Sequence, residues 1–233
     1  MAYPISYSVP FVEPRSRLTT FFRYLLAFPH FFMAAFVGIG AFFAVVAAWF
    51  AIVFTGRYPA GLYGFNAGFL RYLGRVNGYI SLATDAYPPF SLGEDADYPI
   101  QVQVAPALEQ YDRIKTLLRI ILLIPVYVIA YALQIVQMVA SVISWFWIVV
   151  TGKQNDGLHS AILLGLGYNV KAYGYYMLLT ETWPPFSEST QVGAGVPPAG
   201  TLPPQSTPQQ TAPPPKAPEA PSGGSFTSGD PLS

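Results

Sequence analysis

The chain has two histidines, His30 and His159, and neither has a histidine or carboxylate partner at metal-ligand spacing. A helix end or an aqueous–apolar boundary accounts for each imidazole. There is no cysteine, which excludes disulfides, thiolate metal sites and cysteine nucleophiles. No carboxylate falls between Tyr24 and Phe54 or between Ile120 and Val150, where a proton relay or ion site in an apolar run would need one. No serine or threonine sits in a nucleophile elbow, and no glycine cluster follows the phosphate-loop pattern. No enzyme and no cofactor are therefore expected. The cations are the side chains with usable chemistry: Arg17, Arg23, Arg57, Arg71 and Arg75, then Arg113, Arg119, Lys153 and Lys171. Such a belt binds anionic phospholipid at about 1 kcal/mol per cation near the surface. The positive-inside preference alone would also place cations there.

What positions these cations is a unit written twice. Displaced by about 96 positions, the sequence matches itself. Arg17, Arg23 and Pro29 fall on Arg113, Arg119 and Pro125. Thr55-Gly56-Arg57 falls on Thr151-Gly152-Lys153, and Pro88-Pro89-Phe90-Ser91 on Pro184-Pro185-Phe186-Ser187. Each copy opens on a stretch of period-two alternation, Tyr3–Val9 and Tyr98–Val104, which reads as a strand or an extended lead-in. The two stretches share a start and are candidates to pair with each other.

A long apolar run follows, Leu18–Phe54 and Ile114–Val150. As one helix each run would be roughly 55 Å long, against a hydrocarbon core of about 30 Å. Two readings fit. Each run is a helical hairpin, spanning or re-entrant, turning at Gly38-Ile39-Gly40 and at Gln134–Gln137; or an interfacial segment ends at Pro29 or Pro125 and one span follows. The hairpin is preferred, because basic residues flank both ends of each run. Thr-Gly then ends each run, with Gly56 and Gly152 suited to a left-handed C-cap. A third helix, about Leu62–Thr84 and Leu158–Thr180, reads as amphipathic and interfacial, since Arg71 and Arg75 would sit at mid-membrane if it spanned. Tyr87 and Trp183, each before Pro-Pro, are expected interfacial anchors.

From about Gln191 the composition turns to Pro, Gly, Ser, Thr and Gln, which cannot bury a core; a disordered tail is expected. Pro215, Pro218 and Pro221 make PxxP spacings that suit an aromatic groove, although a solvated tail is the simpler explanation. The formal net charge of zero gives no reason to expect nucleic acid as a partner. The start, Met1-Ala-Tyr-Pro-Ile-Ser-Tyr, lacks a basic n-region and an apolar h-region, so the first apolar run is expected to stay in the mature protein.

At Phe54-Thr-Gly-Arg-Tyr-Pro59 and Tyr87-Pro-Pro-Phe-Ser91, with Arg17–Arg23 and Leu26-Ala-Phe-Pro-His30 before them, the chain resembles an uncharacterised, mainly actinobacterial integral-membrane family, domain of unknown function 4389, in two tandem copies. Copy two departs at Lys153-Gln-Asn-Asp156, where copy one has Arg57-Tyr-Pro-Ala60. The resemblance implies a place in a bacterial plasma membrane. It implies no activity, substrate or catalytic residue.

The expectation is an all-α membrane protein of two same-sense tandem repeats, residues 1–94 and 95–190, with short extended segments and a tail over 191–233. It is multi-pass, with both termini cytoplasmic. The expected role is a non-enzymatic scaffold or accessory protein that contacts anionic phospholipid and holds a cytoplasmic protein partner through the tail. The alternative is a small transporter or channel at the repeat interface, built by homo-oligomerisation.

Overall fold

The computed structural model describes residues 3–185. The tail over 191–233 lies outside the described residues. Copy one comprises strand β1 (Ile5–Ser8) and helices α1 (Arg17–Phe21), α2 (Arg23–Thr55) and α3 (Ala60–Ile80). Copy two comprises strand β2 (Gln101–Val104) and helices α4 (Arg113–Leu117), α5 (Arg119–Thr151) and α6 (Asp156–Tyr176).

Most of each apolar run, beyond Phe22 and Leu118, is one uninterrupted helix of 33 residues, about 50 Å long. The hairpin reading is therefore corrected. Gly38 and Gly40 do not turn the chain; they seat aromatic side chains of α3. A Cβ at either would lie 3.3 Å from a ring carbon, of Phe69 at Gly38 and of Phe65 at Gly40. The Pro29 and Pro125 reading is corrected too. Both prolines lie inside their helices, and the break comes earlier, at Phe22 and Leu118. Gly56 and Gly152 do form left-handed caps, at φ 74° and 73°.

The two alternating stretches pair antiparallel. Tyr7 lies opposite Val102, and these two residues occupy the same place in their copies. An approximate two-fold axis therefore passes between them. It exchanges the copies and makes equivalent helices antiparallel. The helix ends agree. The C-terminus of α2 meets the start of copy two, where Tyr111 N donates to Gly56 O (2.8 Å) and the Trp49 indole to Thr116 O (3.0 Å). The C-terminus of α5 meets the start of copy one, where Arg15 N donates to Gly152 O (3.1 Å) and the Trp145 indole to Thr20 O (3.0 Å).

The third helices are not surface helices, which corrects the interfacial reading. More than half of α3 and of α6 is buried. They form the middle of the fold. On one side, Gly74 and Gly78 of α3 lie under Val102, Tyr7 and Ile100 of the ribbon, and Gly174 of α6 lies under Ile5. On another side, α3 meets α2 at Phe65 and Phe69, while α6 meets α5 at Gly165. Each strand thus packs on the third helix of the other copy, and the repeats interleave in one core.

Candidate functional site

The surface that stands out is the outside of α2 and α5. On α2 the buried positions, Ala27, His30, Ala41, Ala44, Ala48 and Ile52 among them, form a stripe at helical spacing. The rest is exposed and apolar: Phe28, Phe32, Phe36, Phe43 and Phe54 are each more than half exposed. The same holds on α5 for Ile121, Ile124, Val128, Tyr131 and Val150. Both helices are long and apolar enough to cross a membrane. The one ionisable group within α2's apolar stretch, His30, is fully buried. Its Nδ1 lies 2.8 Å from the Tyr72 hydroxyl and its ring stacks on Phe90 at 4.1 Å.

The ribbon side is polar. Ser6 and Gln103 are exposed, and beside them Arg71 pairs with the exposed Glu94 at 2.7 Å. Asp97 is exposed in the same connection.

The nine cations divide into two groups. Arg23, Arg75, Arg119 and Lys171 are buried, so they do not meet lipid headgroups; this corrects the single-belt expectation. Arg23 donates to Thr84 O (2.7 Å) and Tyr79 O and pairs with Asp85. Arg119 donates to Thr180 O (3.0 Å) and lies 3.8 Å over the Tyr175 ring. These guanidiniums clamp the C-terminal ends of α3 and α6, where free carbonyls attract a cation. Arg75 donates to Gly93 O (2.7 Å), and the Lys171 ammonium lies 5.5 Å over the Tyr3 ring.

Arg17, Arg57, Arg113 and Lys153 are exposed, and Arg71 is half-buried in its pair with Glu94. The four exposed cations gather at the two ends of the long helices. The Arg17 guanidinium packs against Gly152, next to Lys153, and that of Arg113 against Gly56, next to Arg57. Tyr87 and Trp183 occupy equivalent half-exposed places; the Tyr87 hydroxyl donates to Leu26 O (3.2 Å) and the Trp183 ring lies 6.1 Å from Tyr175.

Sequence reasoning missed the acidic partners of the clamps. Asp85 accepts from Ser16 N (2.9 Å) and its equivalent Glu181 from Asp112 N (2.6 Å), so each fixes the start of a helix as well. The signal was available: an acid recurs at the same position of both copies. Among the described residues no three His, Cys, Asp or Glu side chains gather as metal ligands.

A family profile described as a domain of unknown function, DUF4389, matches residues 17–91 and again 113–188. The chain belongs to this family. The two DUF4389 matches start at Arg17 and Arg113, the cations that pack on the opposite copy's cap glycine. Both matched segments contain the buried-arginine clamp and the long apolar helix. β1 and β2, which tie the DUF4389 copies together, lie outside the matched segments. No curated protein and no solved structure matches the chain.

Proposed function

We propose that this chain is a non-enzymatic membrane scaffold or accessory protein, lying flat in one leaflet with α2 and α5 in hydrocarbon and the ribbon in water. The observation that carries this reading is the opposition of an apolar outer helix pair to a polar ribbon side that carries the Arg71–Glu94 pair. An exposed apolar area of this extent has no stable place in water.

The path of the chain favours lying flat over spanning. Thr84 is held at the N-terminal end of α2 by Arg23, whereas Tyr111 is bonded to its C-terminal end. Between them the chain runs the length of α3 without a helix, carrying Glu94, Asp95 and Asp97. Tyr3, bonded to Thr182, and Glu13, bonded to Gln154, bound a second such passage through β1. Upright helices would draw both passages through hydrocarbon, where non-helical backbone and carboxylates are very costly. Laid flat, both passages remain in water.

In this pose Arg17, Arg57, Arg113 and Lys153 bracket the apolar face at headgroup level and attract anionic phospholipid. Tyr87 and Trp183 suit the same level as anchors. The plasma membrane of a bacterium, cytoplasmic side, is the proposed location. The Pro-rich tail is the proposed tether for a soluble partner. Deleting residues 191–233 should remove a co-purifying soluble protein while leaving the chain in the membrane. In proteoliposomes the full chain should give no solute flux above that of empty vesicles. Sustained flux would overturn the scaffold reading in favour of a transporter.

A further inference from the structure

A cleft of about 240 Å³ opens between α5 and α6, walled by Tyr127, Tyr131, Gln134, Asn169 and Tyr173 among others. Gln134, Asn169 and Tyr173 also line a smaller inner chamber of about 60 Å³, together with Asn77 and Gln137. The copies differ here in a complementary way. Copy one has Gly38 and Leu73 where copy two has Gln134 and Asn169. The Phe69 ring sits against Gly38, whereas the position equivalent to Phe69 is Gly165. Copy one is therefore closed by an aromatic ring at the place where copy two carries amides.

Gln137 is 5% exposed and lines the inner chamber. Its Nε2 donates to Ser81 Oγ at 2.8 Å, and its Oε1 has no partner among the described residues. Turning the amide over would move the vacancy to the amino group without filling it. A buried amide atom without a partner is costly, and a ligand that hydrogen-bonds there removes the cost. No charged side chain lines either chamber, so a bound phosphate or ammonium would be buried unpaired. The mouth lies beside Tyr127 and Tyr131, on the exposed apolar side of α5.

We infer that this cleft holds the head and first methylenes of an uncharged, hydroxyl-bearing lipid of the diacylglycerol class. Hydroxyls can donate to the Gln137 and Asn169 oxygens, whose amino groups already bond Ser81 Oγ (2.8 Å) and Gly165 O (2.9 Å), and can pair either way with Gln134, and the lipid chain continues along α5. Entry from the bilayer rests on the seating proposed above; the pairing chemistry does not.

The test is photolabelling of the full chain in phosphatidylcholine vesicles and, separately, in detergent micelles. The probe is a diacylglycerol with a diazirine beside the glycerol. Labelling is expected to concentrate on the α5 and α6 peptides that wall the cleft. Gln134→Leu, at an exposed position, should reduce it by up to about tenfold, the upper end of one net hydrogen bond. Asn169→Leu, which installs the copy-one residue, should do the same. Unlabelled diacylglycerol should compete, and phosphatidic acid with the same chains should compete at least about tenfold less well. Labelling spread evenly along α2 and α5 and indifferent to Gln134→Leu would overturn the site. Equal competition by phosphatidic acid would overturn the ligand class. If the chain fails to float with the vesicles yet keeps Gln134-dependent labelling in micelles, the seating falls and the cleft stands.

Discussion

Arg23 is fully buried, and its donors go to two backbone carbonyls at the end of α3 and to Asp85. Removing the guanidinium takes the side-chain donor from Thr84 O and Tyr79 O and leaves Asp85 with only Ser16 N (2.9 Å) and Arg15 (3.7 Å). Arg23→Gln should cost about 3 kcal/mol of stability in detergent, the size expected for breaking a buried pair from one side. Arg57→Gln, at an exposed position, should stay within about 0.5 kcal/mol. Equal melting temperatures for the two variants would contradict the clamp. His159 makes a second residue-scale prediction. It is buried against Phe11, and burial first, then the Arg15 charge, lowers its pKa from 6.5 to about 4. The unfolded chain therefore takes up this proton first as pH falls. The contribution is intact above about pH 6.5, declines toward pH 4 and is lost below it. Melting temperature should fall across that window, and His159→Phe should flatten the part due to this ring; an unchanged slope would assign the loss elsewhere. At this scale the sequence was misleading, because an arginine beside an apolar run has the same pattern whether it faces headgroups or helix-end carbonyls. The recurrence of Asp85 as Glu181 was the available clue to the second case.

Among the elements, the third helices depend on absent side chains. A Cβ at Gly78 would overlap Ile100 and Tyr7, and one at Gly174 would overlap Ile5. Gly78→Ala and Gly174→Ala should each destabilise by roughly 1–3 kcal/mol, the range for overpacking a close interface. Gly64→Ala, with open space around it, should instead be neutral or stabilise by up to about 1 kcal/mol through helix propensity. Thermal melts of the three variants check this, and a Gly64→Ala loss matching Gly78→Ala would contradict the ribbon packing. The repeat, the αL caps at Gly56 and Gly152, and the pairing of the alternating stretches were all legible, because each follows from local pattern. The path of α2 was not. Glycine in an apolar run fits either a turn or a seat for a neighbour's ring, and only the presence of Phe65 and Phe69 across the interface decides between them. The end of α3 was hidden for a related reason. Leu82 and its equivalent Leu178 close their helices at φ 67° and 62°, a conformation for which leucine gives no signal. Both leucines are buried, so core packing holds them there.

For the whole molecule, the decisive fact is that the copies are exchanged by a two-fold axis across the helices, so equivalent helix ends lie far apart. The internal match was legible, but the crossing of the strands between copies was not, since alternation marks a strand without naming its partner helix. The flat seating proposed above rests on that crossing, and it is tested most directly by single cysteines in this naturally cysteine-free chain. Ala60→Cys and Ser160→Cys mark opposite ends of the helix layer, Ser6→Cys marks the ribbon, and Phe36→Cys and Ile135→Cys mark the exposed apolar surface. With an impermeant thiol reagent on sealed vesicles of known orientation, positions 60, 160 and 6 should label from the same side, with 36 and 135 protected until detergent is added. Labelling of 60 and 160 from opposite sides would contradict the account and stand the helices upright.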